Sequence, residues 1–350
     1  MTVRAERLIE KMIFDIVKLI ITLVHALYAP RRKYRTQAAL EIFPQTSNAT
    51  RWKQHGITVA GGNGPGKEKN QLHEPLGLCI NHDNETIYIA DARNHRITEW
   101  KRGATTGRVV AGGNGQGNRP DQLNRPTDVI FDKGTDSVII CDYGNRRVVQ
   151  WSLHSDKQGE TIVSNVGCVK LAMDYDGCIY IVDEDNHEVK QYRMGENVGR
   201  VVAGGNGRGN GLNQLNYPSH IFVDRDHSVY VSDGANRRVM KWMEGVKEGI
   251  IITCAQIHEN SLTQLLHPQG IFVDNSGFVY VADQWNHRIM LYVEEDKKGN
   301  VIIGKYGQGS QSNQLSHPVG LSFDREGNLY VSDWRNARVQ KFLIEKMQSD

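Results

Sequence analysis

The stretch that decides the fold is VYVADQWNHRI at residues 279–289, because close copies of it occur six times along the chain. Every copy is an apolar run followed by Asp-x-x-Asn, and five copies carry Arg two residues after the Asn. The third copy has Glu188 at that place, and the aspartates are spaced by 51, 41, 50, 50 and 50 residues. Six copies in phase indicate a repeat architecture. The other five copies are IYIADARNHRI (87–97), VIICDYGNRRV (138–148), IYIVDEDNHEV (179–189), VYVSDGANRRV (229–239) and LYVSDWRNARV (329–339).

Each period contains four short strand signals separated by turns. In the fourth period these are SHIFVD, SVYVSD, RVMKWM and GIIITC, within residues 219–254. Alternating apolar residues between tight turns predict a four-stranded antiparallel meander. Six such meanders predict an all-β, six-bladed β-propeller of four-stranded antiparallel blades. An open solenoid is the alternative, but it needs special end caps, and none is visible.

The chain ends indicate how the ring closes. The sixth repeat ends with RVQKFLIEK (338–346) and lacks a fourth strand, whereas an additional strand, GITVAGG (56–62), precedes the first repeat. That strand resembles the fourth strands RVVAGG at 108–113 and 200–205. We expect it to complete the last blade and so remove the free sheet edges. The predicted domains are therefore 1–50, an apolar or amphipathic helix with a basic linker, and 51–350, the propeller.

The Asp, Asn and Arg of the repeat are expected to be structural, because all blades share them and a binding site would be asymmetric. Asp and Asn side chains satisfy backbone donors in tight loops, and Arg is suited to charge-assisted hydrogen bonds between blades. The aspartates are Asp91, Asp142, Asp183, Asp233, Asp283 and Asp333, and the asparagines are Asn94, Asn145, Asn186, Asn236, Asn286 and Asn336.

Over about residues 57–343, these motifs resemble the NHL repeat, seen here as Asn-His-Arg and Asn-His-Glu. The resemblance implies a six-bladed propeller. Tripartite-motif proteins with such a domain act in ubiquitin transfer and RNA repression, but their Cys/His zinc modules have no counterpart in this chain. The resemblance therefore leaves single-stranded RNA binding open and implies no ligase activity.

The binding residues should be those that differ between blades. The two residues after each repeat Asp predict a polarised face, with an aromatic and basic side on blades five, six and one and an acidic side at Glu184 and Asp185 of blade three. Trp and Arg are common anchors of interfaces, and they also stack single-stranded bases. Packing of the Trp side chains against neighbouring blades is the alternative. The candidate binding residues are Trp285, Trp334, Arg335, Arg93, Tyr143 and His220.

A metal-dependent lyase is the enzymatic alternative, because the chain is also similar to peptidylglycine amidating lyase. That family places zinc-binding His directly after the Pro that opens an inner strand. The residues at that position here are Leu76, Thr127, Ser219, Gln269 and Val319. A zinc site needs convergent imidazoles, and none of these residues supplies one. The sequence therefore predicts no metal, no cofactor and no catalytic residue, and it favours a monomeric platform for a protein or peptide.

Composition agrees with a soluble body of neutral charge. Residues 1–50 hold eight Lys or Arg and four Asp or Glu, which leaves 34 basic and 36 acidic residues of the totals of 42 and 40. A dedicated nucleic-acid binder would carry a basic excess. The GGNG-x-G loops resemble a phosphate loop, but no Lys-Ser/Thr and no helix follow, so we expect them to join blades. The five cysteines are expected to be reduced core residues, with a pair between Cys168 and Cys178 as the alternative.

The N-terminal segment leaves three interpretations open. Residues 12–29 (MIFDIVKLIITLVHALYA) are long enough for a signal peptide or a membrane anchor, although Asp15, Lys18 and His25 interrupt the apolar run. The same polar residues form one stripe of an amphipathic helix. Two glycosylation sequons, at Asn48 and Asn84, are compatible with secretion. Secretion or membrane association through residues 12–29 is therefore weakly favoured over a cytosolic location.

Overall fold

The computed structural model describes residues 50–154, 158–254, 264–293 and 299–345. These residues form six four-stranded sheets in which every pair of neighbouring strands is antiparallel. The predicted six-bladed all-β propeller is confirmed. The predicted N-terminal helix and basic linker fall on residues 1–49, outside the described residues.

Each blade is a meander whose first strand lies innermost. Blade 1 comprises β2 (Pro75–Asn81), β3 (Thr86–Asp91), β4 (Arg96–Trp100) and β5 (Arg108–Gly112). Blade 2 comprises β6 (Pro126–Asp132), β7 (Ser137–Asp142), β8 (Arg147–Ser152) and β9 (Gly159–Ser164), and blade 3 comprises β10 (Cys168–Met173), β11 (Ile179–Asp183), β12 (Glu188–Tyr192) and β13 (Arg200–Gly204). Blades 4 to 6 comprise β14 (Pro218–Val223), β15 (Val229–Asp233), β16 (Arg238–Trp242), β17 (Ile250–Cys254); β18 (Pro268–Val273), β19 (Phe278–Asp283), β20 (Arg288–Val293), β21 (Gly299–Ile303); β22 (Pro318–Phe323), β23 (Leu329–Asp333), β24 (Arg338–Phe342) and β1 (Ile57–Gly61).

The ring closes through β1, which is the outer strand of blade 6. Ile57 pairs with Lys341 and Gly61 with Arg338, so the first strand of the chain is hydrogen-bonded to the last. Trp52 strengthens this closure, because its buried indole donates to the carbonyl of Gly327 at 2.9 Å. The closure by strand 56–62 that the sequence predicts is therefore present, and β24 is paired on both sides, with β23 and β1.

The core consists of apolar layers between neighbouring blades. Blades 5 and 6, for example, meet through Phe272 and Phe323, whose ring centroids are 4.6 Å apart, and Tyr280 packs against the same Phe323. Strand side chains alternate between the two faces of a blade. The second strands of blades 1, 2 and 5 are therefore buried along their whole length, on both faces of the sheet.

Glycine pairs shape the loops that join successive blades. Gly204 and Gly205 have φ of 69° and 77°, and a Cβ on Gly204 would lie 2.5 Å from the carbonyl oxygen of His187. Only glycine takes this conformation at no steric cost. The predicted role of these loops as connections between blades is confirmed.

The junction between blades 2 and 3 corrects the expectation for the cysteines. Cys141, at the end of β7, forms a disulfide with Cys168, the first residue of β10, and the Cα atoms are 5.4 Å apart. The prediction that both are reduced is wrong, and so is the alternative pair, because Cys178 is free. Cys168 occupies the place that proline holds at the start of the other five inner strands. The bond therefore joins two blades at the junction that lacks a glycine-rich loop.

A buried ion pair reinforces the same junction on the inner strands. Lys170 Nζ lies 2.7 Å from Asp128 Oδ1, and the other carboxylate oxygen accepts the backbone N–H of Leu171 at 2.9 Å. Asp128 is fully buried. Burial raises the pKa of Asp128, and the Lys170 ammonium opposes that rise. Blades 2 and 3 are thus held together by a covalent bond and an ionic bond.

Candidate functional site

One face of the ring carries all six Asp-x-x-Asn segments, and we call it the loop face. Five of the segments form a short 3₁₀ turn, at Ala92–Asn94, Tyr143–Asn145, Gly234–Asn236, Gln284–Asn286 and Trp334–Asn336. The residue after each Asn is left-handed, with φ between 49° and 55°. This conformation turns the chain back within five residues, so the two side chains after each Asp are presented on the loop face.

The repeat Asp lies at the centre of a hydrogen-bond network beneath this face. In blade 2, Asp142 Oδ1 accepts the backbone N–H of Asn124 at 2.6 Å. Its Oδ2 accepts Asn145 Nδ2 and Arg147 Nε, both at 2.7 Å. The same bonds recur in blades 1, 4, 5 and 6. These contacts support a structural role for the three repeated residues.

The repeat Arg also fixes the glycine-rich loop that precedes its blade. Arg238 donates to the carbonyl oxygens of Asn210, Gly211 and Gln214 at 2.8–3.0 Å. Blade 3 has no such loop, and there Glu188 replaces Arg and pairs with Lys190 at 2.5 Å. The substitution therefore follows from the missing carbonyl acceptors.

Imidazoles link alternate blades to the next one. His95 Nδ1 accepts the backbone N–H of Arg125 at 3.0 Å, and His287 Nδ1 accepts that of His317 at 3.2 Å. His187 makes the same contact with Tyr217. Burial lowers the pKa of His95 and of His287, which keeps Nδ1 unprotonated and able to accept.

The part of the loop face around blades 2 and 3 satisfies its own charges, and we call it the paired half. Arg146 forms an ion pair with Asp185, and Tyr143 donates to Glu184 Oε2 at 3.3 Å. Arg125 pairs with Glu74 of blade 1 at 3.3 Å. The acidic side expected at Glu184 and Asp185 is therefore largely neutralised by blade 2.

The rest of the loop face, which we call the open half, presents cations and aromatic rings without such partners. Trp285 is 52% exposed and stacks on His267, with ring centroids 4.8 Å apart. Arg335 lies over the ring of Trp334 at 4.4 Å. Within the part of the chain that the structure describes, no carboxylate forms an ion pair with the open-half cations. These are Arg237 of blade 4, Arg335 of blade 6 and Arg93 of blade 1.

The six candidate binding residues do not form one cluster. Trp285 and Trp334 belong to adjacent blades, but each contacts a histidine of its own blade: His267 for Trp285 and His317 for Trp334. Arg93 is exposed on blade 1. Tyr143 belongs to the paired half. Arg237 is not among the predicted binding residues, because it lies four residues after its Asp, two positions beyond the pair that predicts the polarised face.

His220 does not lie on the surface of the loop face. It is 5% exposed, on the inner strand of blade 4, at the position that Asp128 and Lys170 occupy in blades 2 and 3. Burial lowers its pKa well below the usual value, and Lys170 adds to this. The ring is therefore neutral and is not presented to a partner at the surface.

The described residues lack two features that would indicate other functions. They contain no cluster of three or more His, Cys, Asp or Glu side chains arranged to hold a metal ion. They also contain no helix with the length and hydropathy required to cross a membrane, and residues 12–29 lie outside this range.

The repeat family follows from a match to the NHL-repeat family model at residues 72–100, 265–289 and 315–342. These segments lie within blades 1, 5 and 6, and the same Asp-centred network recurs in blades 2 and 4. The chain is an NHL-repeat propeller. The resemblance that the sequence indicated is thus confirmed. A search of curated proteins finds no match for this NHL propeller.

Solved structures similar to this NHL propeller share its fold at low identity. An auxiliary nutrient binding protein from Bacteroides thetaiotaomicron is 14% identical, with a TM-score of 0.64 over 85% of this chain and 77% of that one. A gluconolactonase from Xanthomonas campestris is 13% identical, with a TM-score of 0.60 over 87% and 97%. Virginiamycin B lyase from Staphylococcus aureus is 9% identical, with a TM-score of 0.51 over 86% and 90%. At such identities the likeness shows the fold alone.

Proposed function

We propose that this NHL propeller is a non-enzymatic platform that binds a protein or peptide through the open half of its loop face. The observation that supports the proposal most strongly is the contrast in charge pairing. Arg93, Arg237 and Arg335 have no carboxylate partner among the described residues, whereas the cations of the paired half are neutralised within the molecule. Unpaired guanidinium groups on the same half of the face as an exposed indole are suited to contact an acidic segment that also carries apolar side chains.

Selection from a phage-displayed random peptide library on the immobilised propeller tests this proposal. We expect the enriched peptides to combine Asp or Glu with an aromatic residue. Their binding should be lost in a Trp285→Ala/Arg335→Ala variant and retained in the matched control Tyr143→Phe/Arg146→Ala on the paired half. If neither variant loses binding, or if only the control does, the open half is not the binding surface.

Single-stranded RNA is the second candidate partner, because the exposed ring of Trp285 is also suited to base stacking. The near-neutral propeller body argues against it, since phosphate contacts dominate nucleic-acid affinity. An oligouridylate titration at several salt concentrations distinguishes the two partners. RNA binding predicts an affinity that falls steeply with salt; an unmeasurable affinity at low salt leaves the peptide as the proposed partner.

The non-enzymatic part of the proposal rests on the inner-strand positions where the similar lyase family has zinc-binding histidines. Leu76, Thr127, Ser219, Gln269 and Val319 occupy them here, and the nearby His220 is buried. Stoichiometric zinc or calcium in the purified protein, together with lyase or lactonase turnover, would contradict this part.

We also propose that the protein resides in an oxidising compartment, secreted or anchored through residues 12–29. The Cys141–Cys168 disulfide supports this, because such bonds persist mainly outside the reducing cytosol. Alkylation of the protein in freshly lysed source cells, followed by mass spectrometry, should find these two cysteines protected and Cys178 modified after unfolding.

A further inference from the structure

Two outer strands of the propeller have the same sequence but different surroundings. β5 of blade 1 and β13 of blade 3 both read RVVAG, and each follows a glycine, Gly107 or Gly199. Both strands pair with the third strand of their own blade in the same register, with a bulge at the same place. Any difference between their outer edges therefore comes from what lies beside them.

The edge of β5 is covered by the glycine-rich loop that precedes blade 1. The backbone N–H of Gly107 donates to the carbonyl oxygen of Lys69 in that loop at 2.7 Å. A strand edge covered by a loop is not free to pair with another chain. The same bond recurs at 2.8 Å in blades 2, 4 and 6, where Gly159 donates to Pro120, Gly249 to Leu212 and Gly56 to Ser312.

Blade 3 lacks this loop, so the edge of β13 is open within the described part of the chain. No described residue accepts the backbone N–H of Gly199. The repeat asparagines show the same gap, because Asn186 is exposed and the other five are partly buried. Asn145 donates to the carbonyl of Gly117 in its loop at 2.8 Å, whereas Asn186 has only Asp183 as an acceptor among the described residues.

The open edge presents backbone donors and acceptors at every second residue. Successive residues of an antiparallel strand point their N–H and C=O groups alternately to the two sides. The N–H of Gly107 points away from β4, since it reaches the loop, and the N–H of Gly199 therefore points away from β12. Val201, two residues later and 44% exposed, points the same way. These are the groups with which an added strand pairs.

The two sides of this edge favour different side chains in an added strand. Arg200 lines a cavity of about 500 Å³ together with His227, Glu244 and Glu248 of blade 4. That side suits a polar residue, because the lining carries both signs of charge. Val201 lies on the opposite face of the sheet, since side chains alternate along a strand. A β-branched residue packs well beside it.

The length of the edge favours a peptide segment over a second folded protein. β13 has five residues, and a stable interface between folded proteins buries about 1,200–2,000 Å², more than one such edge supplies. An extended segment needs only main-chain pairing and a few side-chain contacts. The nearby Lys190 is paired with Glu188, so the edge selects neutral main-chain groups and not an anion.

We propose that the outer edge of β13 binds an extended peptide segment of a partner protein, which becomes the fifth strand of blade 3. The segment alternates β-branched residues, on the side of Val201, with polar residues on the side of the cavity. This surface is additional to the proposed platform, because the edge contains none of the open-half residues.

A phage-displayed library of short linear peptides, panned on the full chain carrying Trp285→Ala/Arg335→Ala, supplies the probe. Val201→Pro removes the outward donor, and proline is tolerated on an edge strand where its nitrogen faces solvent. Fluorescence anisotropy should show that the enriched peptides bind this double variant and the wild type equally. Val201→Pro should weaken them about tenfold. The matched control, Val109→Pro on the covered edge of β5, should leave the affinity within about twofold.

An N-methyl scan of the peptide tests the pairing without altering the protein. Methylation of the amides that face β13 should abolish binding and methylation of the alternate amides should not, so the losses recur at every second residue. Bound peptide should also slow amide exchange at Gly199 and Val201 and leave Val109 unchanged.

Three results would overturn the proposal: enriched peptides that Val201→Pro does not weaken, losses in the scan without a period of two, and unchanged exchange at Gly199 and Val201. A dimer of the wild type that Val201→Pro dissociates would overturn it too, because a second copy would then occupy the edge. Loss of the platform would appear instead as peptides that Trp285→Ala/Arg335→Ala fails to bind, so the two tests fail separately.

Discussion

The paired half and the open half of the loop face are built from the same repeat but satisfy their polar groups differently. Around blades 2 and 3, ion pairs between surface loops, a buried Lys170–Asp128 pair and a disulfide join neighbouring blades. From blade 4 round to blade 1, the corresponding inner-strand position is His220 or glycine, and the loops present Arg and Trp without carboxylate partners in the described chain. The disulfide and the buried ion pair between blades therefore lie on one side of the ring, and the surface available to a partner lies on the other.

The comparison predicts that substitutions at the blade 2–3 junction change stability without changing peptide binding. Lys170→Met should have the largest effect, a loss of about 3–5 kcal/mol in the free energy of unfolding, because it leaves the Asp128 carboxylate buried without a counter-charge. Chemical denaturation measures this loss. The double variant Lys170→Met/Asp128→Asn should recover part of it, and Arg102→Ala, which removes an exposed partner of Glu85, should cost under about 1 kcal/mol. A loss of similar size in Arg102→Ala and Lys170→Met would contradict the assigned role of the buried pair.

Removal of the disulfide should be the next largest effect on stability. Cys168→Ser opens a bond between residues separated by 27 positions, for which chain entropy predicts a cost of about 3.5 kcal/mol. Thermal unfolding with and without reductant checks this: the difference between wild type and variant should disappear once reductant is added. Cys178→Ser is the control and should unfold like the wild type, since Cys178 is free.

Substitutions on the open half should weaken peptide binding without changing stability. Trp285→Ala should weaken a selected peptide about 30-fold, the effect of losing about 2 kcal/mol at an interface anchor. Its midpoint of thermal unfolding should stay within a degree or two of wild type, because half of the ring is exposed. Titration calorimetry measures the affinity. A large drop in stability with unchanged affinity would show that Trp285 only packs against its neighbours.

The sequence anticipates the regular parts of this molecule better than the exceptions. The period of Asp-x-x-Asn and the additional strand at 56–62 suffice for the fold and its closure, because each depends on local pattern. Cys168 was not recognised as a partner of Cys141, since the 41-residue period hides its alignment with the prolines that open the other inner strands. The side-chain contacts on the loop face also cannot be predicted from the sequence. Tyr143 and Glu184 are 41 residues apart, and only the ring brings the Tyr143 hydroxyl to 3.3 Å from Glu184 Oε2.

The imidazole links between blades should have a smaller, pH-dependent effect on stability. The pKa of His287 is lowered by burial, so the folded state binds fewer protons than the unfolded chain just below pH 6.5. The contribution of neutral His287 to the free energy of unfolding is therefore complete above pH 6.5 and is lost as the pH falls through the pKa of the folded state. The stability difference between wild type and His287→Leu should shrink, by under about 1 kcal/mol, between pH 8 and pH 5.5. Parallel pH curves for the two proteins would contradict the link.

Hydrogen–deuterium exchange with a selected peptide tests the division of the loop face most directly. The account predicts that the bound peptide slows exchange in residues 233–237, 283–287 and 333–337 and around Arg93, and leaves residues 142–146 and 183–187 unchanged. Protection of 142–146 and 183–187, with the open half unaffected, would contradict it.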